Sequence, residues 1–262
     1  MRAATNLVPL LNAASAGSIP KLWRGDEWVV DERRPDCTPS GFAALDHELP
    51  GGGWPHGQLV ELLIDHPGIG ELGLVLPALS AVARTGRTCV WVLPCQENPV
   101  EAAHALPYAP ALLDAGIDLA RNAFVKPITP RESAWALEQS LRTAHLGALV
   151  GWFPASTGAD ADFRSLRRLH LLAQRHRALV FLLRSAHHAR APSPAALRLQ
   201  LSDEGGRLQV QLLKRRGRPL IEPLALQVHP ARWGRTPNPA PSLAHLGLAT
   251  DTGWSVRAAP GN

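Results

Sequence analysis

TPSGFAALDHELPGGGWPHGQLVELLIDHPGIGEL, residues 38–72, carries the pattern that decides the fold. It predicts a short helix around Phe42–Leu45, a glycine-rich turn, an apolar strand at Leu59–Ile64, and a glycine-containing loop that enters a helix at Glu71. Strand, loop and helix in this order form the architecture in which backbone N–H groups and a helix N-terminus hold phosphates. The chemistry of such a loop is absent. A working loop reads GxxxxGK followed by Ser or Thr, because the lysine reaches the phosphates and the hydroxyl holds the metal ion. With Gly70 as the last glycine, Glu71 stands in place of the lysine, Leu72 in place of the hydroxyl and Asp65 in place of the first glycine. One residue earlier, Gly70 replaces the lysine and Glu71 the hydroxyl. Neither register supplies a cation. One unit-charge contact near 4 Å is worth roughly 4 kcal/mol at an effective dielectric of about 20, so exchanging attraction for repulsion costs on the order of twice that. The degenerate loop, with Asp65, Gly68, Gly70 and Glu71 at its key positions, is therefore expected to bind no nucleotide cofactor.

Outward from this segment the alternation continues. Apolar runs at Cys89–Leu93, Ala123–Val125, Ala148–Phe153 and Leu179–Leu183 read as further strands, and uninterrupted apolar runs mark parallel strands covered on both faces. Helical spacing appears in Glu71–Arg84, Arg131–His145 and Asp162–His176, the last with Arg164, Arg167, Arg168 and Arg175 opposite its apolar face. After Pro194 the period changes to two: LRLQLSDEGGRLQVQLL alternates on both sides of Asp203–Gly206, a hairpin signal, and Ala225–Val228 adds a last short strand. The prediction is an α/β core with a mostly parallel central sheet flanked by helices, extended by a C-terminal antiparallel hairpin. Residues 1–37 read as an N-terminal arm, 38–229 as the domain, and 230–262 as a flexible tail with frequent Pro and Gly.

Two further parts of a nucleotide hydrolase are missing. Ala148–Phe153 contains no acid to hold a metal ion, and the stretch after the second strand reads LPCQ, with Glu97 the first carboxylate. No catalytic residue is expected. Adjacent His187 and His188 have no Cys or carboxylate at ligand spacing, so no metal site is expected, and no serine sits in a nucleophile elbow.

The chain has 262 residues, 45% apolar and 19% charged, enough for one sizeable core. Its formal charge is +5, and the excess sits in residues 190–262, which hold ten basic and four acidic side chains. That asymmetry points to an acidic partner, with a solvated arginine-rich surface as the alternative. Cys37, Cys89 and Cys95 make an odd count without a CxxC pair, which argues against a disulfide framework and fits reduced thiols in a cytoplasmic protein. The longest mostly apolar stretch, Leu72–Ala83, contains Pro77 and is too short to span a bilayer, so no membrane association is expected. Pro9 and Asn12 interrupt the apolar run near the N-terminus, which argues against a signal peptide. Trp23, Trp28, Trp233 and Trp254 in arm and tail are candidates for partner contact.

SGFAALDHELPGGGWPHGQLVELL resembles the leading segment of the RecA-like family, in which a TG…LD turn and helix precede GG…G and the phosphate-loop strand. Ser40, Gly41, Leu45 and Asp46 match the first part, and Gly52, Gly53, Gly57, Val60 and Glu61 the second. HPGIGEL and LPYAPALLDAGIDL are similar to segments of the ImuA branch of that family, and the resemblance spans roughly Thr38–Val228. It implies a RecA-like fold and a setting in the SOS response to DNA damage: a non-catalytic adaptor of an error-prone translesion synthesis complex. The implied partners are an ImuB-type protein, a DnaE-type polymerase subunit and RecA itself. RecA proteins place two cations, one residue apart, beyond the strand that Leu208–Leu213 resembles; Lys214 and Arg216 match them here, with Arg215 and Arg218 beside them. Without nucleotide these cations are expected to meet acidic groups of a partner or the phosphates of DNA. Arg184 falls near the nucleotide-sensing position and Arg190 in the segment matching the second DNA-binding loop, which has no aromatic residue for base stacking. The alternatives are a SulA-like inhibitor of cell division that binds FtsZ, and a divergent DNA-dependent ATPase.

Overall fold

The structure is a computed structural model, and it describes residues 36–95, 107–154, 159–217 and 222–228. The tail, most of the arm with Trp23 and Trp28, and also Glu97 and Arg218 lie outside the described residues. The chain begins with β1 (Cys37–Thr38), which pairs antiparallel with β2 (Trp54–Pro55). Between them lies α1 (Ala43–Glu48). Its start is fixed locally: the Ser40 hydroxyl accepts from Phe42 N–H at 3.1 Å, and the Asp46 carboxylate accepts from Ser40 N–H at 2.7 Å. Those bonds fix the turn that leads into the helix.

The core alternates strand and helix: β3 (Gln58–Ile64), α2 (Glu71–Arg84), β4 (Thr88–Val92), α3 (Ala109–Asp114), β5 (Asn122–Val125), α4 (Pro130–Leu141), β6 (Leu146–Trp152), α5 (Ala159–His176) and β7 (Leu179–Ser185). A 3₁₀ segment, Ala186–Arg190, leads to the hairpin of β8 (Leu197–Glu204) and β9 (Arg207–Lys214), and β10 (Leu224–Leu226) closes the described chain. One eight-stranded sheet runs β10-β9-β8-β3-β7-β6-β4-β5. The pairs from β8 through β3, β7, β6 and β4 to β5 are parallel; β9 and β10 are antiparallel additions.

Side chains alternate across this sheet, and each face receives its own helices. Val60, Leu62 and Ile64 of β3 join Leu45, Leu74, Leu79 and Leu112 from α1, α2 and α3 in one apolar cluster, which also takes Leu199 and Val210 of the hairpin. Leu59 points to the other face, into a second cluster with Leu137 and Leu141 of α4 and Leu166 and Leu169 of α5. Among the described residues, no helix is long and apolar enough to cross a membrane.

The structure adjusts several expected boundaries. The helix expected to run to His145 stops at Leu141, because the chain turns into β6 through His145, whose φ of 59° is left-handed. Its start is capped: Thr129 Oγ accepts from Glu132 N–H at 3.2 Å, while the Glu132 carboxylate accepts from Ile128 N–H at 2.8 Å. The helix α3 has no counterpart in the expected elements. The last strand occupies Leu224–Leu226 rather than Ala225–Val228.

Candidate functional site

The loop between β3 and α2 is closed on itself. Glu71, the first residue of α2, is buried, and its two carboxylate oxygens accept from the Gly68 amide at 3.2 and 3.1 Å. Gly70, with φ of 103°, makes the left-handed turn that brings Gly68 back over the helix start. A helix N-terminus carries unpaired N–H groups and a partial positive charge, so a carboxylate in its first turn is favourable. The anion that this geometry invites is supplied by the chain. A phosphate placed here meets a fixed negative charge on a loop without a lysine.

Beside the loop, a cleft of about 320 Å³ opens at the carboxyl ends of β3, β4, β6 and β7. Asp65, His66 and Pro67 form one wall, Pro94 and Cys95 after β4 another, and Trp152, Phe153 and Arg184 the floor, with His188 above. Connections leave β4 outward to β5 and leave β6 inward to β7, and such a reversal at the carboxyl ends is where open α/β sheets bind ligands. The end of β6, Trp152–Phe153–Pro154, brings no carboxylate to this cleft. Among the described residues, no group of three or more His, Cys, Asp or Glu side chains is placed to hold a metal ion.

A buried charge cluster lies under the cleft. Glu61, fully buried in β3, stands in register with Arg198 of β8, whose Nε donates to Glu61 Oε2 at 2.7 Å. Glu61 Oε1 accepts from the Ser193 hydroxyl at 2.6 Å and from Arg184 Nη1 at 3.4 Å. Arg184 Nη2 also donates to Asp162 Oδ2 at 2.7 Å, and its guanidinium lies 5.0 Å from the Phe153 ring centroid. Arg198 donates further to the carbonyls of His188, Ala189 and Ala191, which fixes the 3₁₀ segment over the sheet. Two guanidiniums and two carboxylates thus pair in a dry interior, where each needs the other. Arg184 Nε, Trp152 Nε1 and Asp162 Oδ1 keep no hydrogen-bond partner among the described residues. His188 Nδ1 lies 3.9 Å from Asp162, and burial together with the Arg184 charge lowers its pKa, outweighing the two carboxylates.

The cations named from the sequence are not gathered into one site. Arg184 is 3% exposed and committed to Glu61 and Asp162, whereas Arg190 and Arg216 are exposed. Lys214, at the end of β9, donates from Nζ to the Ser193 carbonyl at 3.0 Å; burial and the nearby Arg198 lower its pKa. Arg215 reaches back to α1, donating to the Glu48 carbonyl and to Glu48 Oε2, the latter at 2.7 Å. Sequence reasoning used Glu61 only as a motif letter and passed over Arg198. The available signal was a carboxylate inside the apolar run LVELLI, which demands a buried partner.

No protein-family model matches this chain, and comparison with curated proteins gives no match.

Proposed function

We propose that this chain is a RecA-like domain that has given up nucleotide chemistry and serves as a non-catalytic adaptor in an SOS-induced, error-prone translesion DNA synthesis complex. The observation that carries the reading is the Glu71 carboxylate seated on the Gly68 amide, in the loop where a nucleotide enzyme places a phosphate. The parallel sheet with helices on both faces and the loop-to-helix connection after β3 support the RecA-like part. The setting and the partners, an ImuB-type protein, a DnaE-type polymerase subunit and RecA, rest on the resemblance of residues 38–228 to the ImuA branch and on nothing else.

The test is titration with a fluorescent ATP analogue and Mg²⁺, with and without single-stranded DNA, beside Glu71→Lys. The expected result is no binding by the wild type up to millimolar nucleotide, followed by co-purification with the ImuB-type protein or RecA. Micromolar binding with DNA-stimulated hydrolysis overturns the non-catalytic reading, and capture of FtsZ in place of polymerase components overturns the setting.

A further inference from the structure

The solvent face of the α4–α5 layer carries a row of cations that neither the loop nor the cleft uses. On α5, Arg164, Arg167, Arg168 and Arg175 are all exposed and span about 16 Å of helix. Among the described residues, little opposes this charge. Glu138 of α4 is taken by Arg168 at 3.1 Å, and Glu132 is turned to the Ile128 amide.

An aromatic ring stands in the same surface. Trp135 of α4 is 64% exposed, the most exposed of the large apolar side chains among the described residues. Both helices connect parallel strands across one sheet face, so they run in the same direction. The Arg168–Glu138 pair fixes their level, and one turn earlier on each helix stand Arg164 and Trp135. Leu171, 47% exposed, adds a second apolar contact within the arginine row.

We propose that this face binds single-stranded nucleic acid, with the arginine row tracking phosphates and the Trp135 indole stacking on an unpaired base. Cations that follow a backbone, combined with an exposed ring, are what sequence-independent single-strand recognition requires. Arginine suits the phosphate contacts because its planar fork donates two hydrogen bonds at once. A duplex buries the base faces that the indole would use, and an acidic protein surface offers no flat ring to cover it. The site is separate from the phosphate loop and from the segment that resembles a RecA DNA-binding loop.

Fluorescence anisotropy of the full chain with labelled thymidine and uridine strands of about 20 nucleotides, and with a duplex of the same length, tests this between about 50 and about 200 mM salt. No nucleotide or partner protein is present, so failure here leaves the adaptor reading standing. Expected are tighter binding of single strands than of duplex, a loss of about tenfold on Trp135→Ala with the salt slope retained, and a slope smaller by roughly 1.4 in Arg164→Gln/Arg167→Gln. Arg207→Gln, at the turn end of the hairpin, is expected to bind as wild type. All four side chains are exposed, and unchanged circular dichroism confirms that each variant folds. Absence of binding at about 50 mM salt, preference for the duplex, unchanged affinity of Trp135→Ala, or equal binding of a poly-glutamate chain overturns the proposal.

Discussion

Glu61 ties three strands together, because its one carboxylate compensates two guanidiniums brought by β7 and β8. Glu61→Gln keeps the volume and the bond from Ser193 but leaves Arg184 and Arg198 short of charge in a dry interior. The expected loss is about 3–5 kcal/mol, read from urea denaturation with an unchanged slope. Cys89 shows the opposite use of burial. Its thiol is pushed up to about 11, Arg87 only partly offsetting the desolvation. Since the folded value lies above the ordinary 9.0, the neutral thiol's contribution is complete below pH 9 and is lost as pH rises toward 11. At pH 8 Cys89 is expected to resist a thiol reagent that modifies Cys37 and Cys95, and Cys89→Ala to flatten the alkaline limb of stability. The sequence showed that Glu71 removes a lysine. It did not show the carboxylate folding back on Gly68, because that depends on the left-handed turn at Gly70 rather than on composition.

Among the elements, the hairpin was legible nearly to the residue. Leu199 and Leu201 of β8 and Leu208, Val210 and Leu212 of β9 all face one apolar cluster, so a period of two is enforced across seven paired positions. Its two-residue turn needs left-handed backbone at Gly205 and Gly206, with φ of 60° and 75°. Gly206→Val is expected to cost about 1–2 kcal/mol, while Gly205→Asn stays close to wild type in thermal melts, since Asn visits this region readily. Helices α2 and α5 were legible for a related reason, their apolar faces lying against a sheet over 14 and 18 residues. The end of α4 was not, because tertiary geometry stops it: polar Arg142–His145 gives no helix-breaking letter, and the left-handed His145 makes the turn. Nor did spacing reveal the cluster under the cleft, whose members are drawn from four elements and the loop before β8.

At the scale of the whole molecule, acid sensitivity follows from groups scattered over it. His170 and His188 both have pKa values lowered from 6.5, first by desolvation and then by nearby cations. Below pH 6.5 the unfolded chain therefore takes up more protons at these positions than the folded one, and stability declines as pH falls. Asp36 and Glu48, held below their ordinary values by hydrogen bonds from Arg177 and Arg215, lose those contributions only below about pH 4. Melting temperatures are expected to fall in two stages, a shallow one beginning near pH 6.5 and a second near pH 4. Replacing both histidines by glutamine removes the first stage; its persistence contradicts the assignment. The sheet order itself was not readable from the strands, because parallel strands of similar apolar composition carry no label for their neighbours.

The position of β3 has a consequence in time. β3 (Gln58–Ile64) leaves the ribosome long before both of its neighbours, β7 (Leu179–Ser185) and β8 (Leu197–Glu204). Translation at about 5–20 residues per second leaves its apolar edges without their final partners for roughly ten seconds while the stretch to Leu201 is made. A nascent chain with that interval to bridge is expected to engage chaperones, and its folded yield to change when the ribosome is slowed.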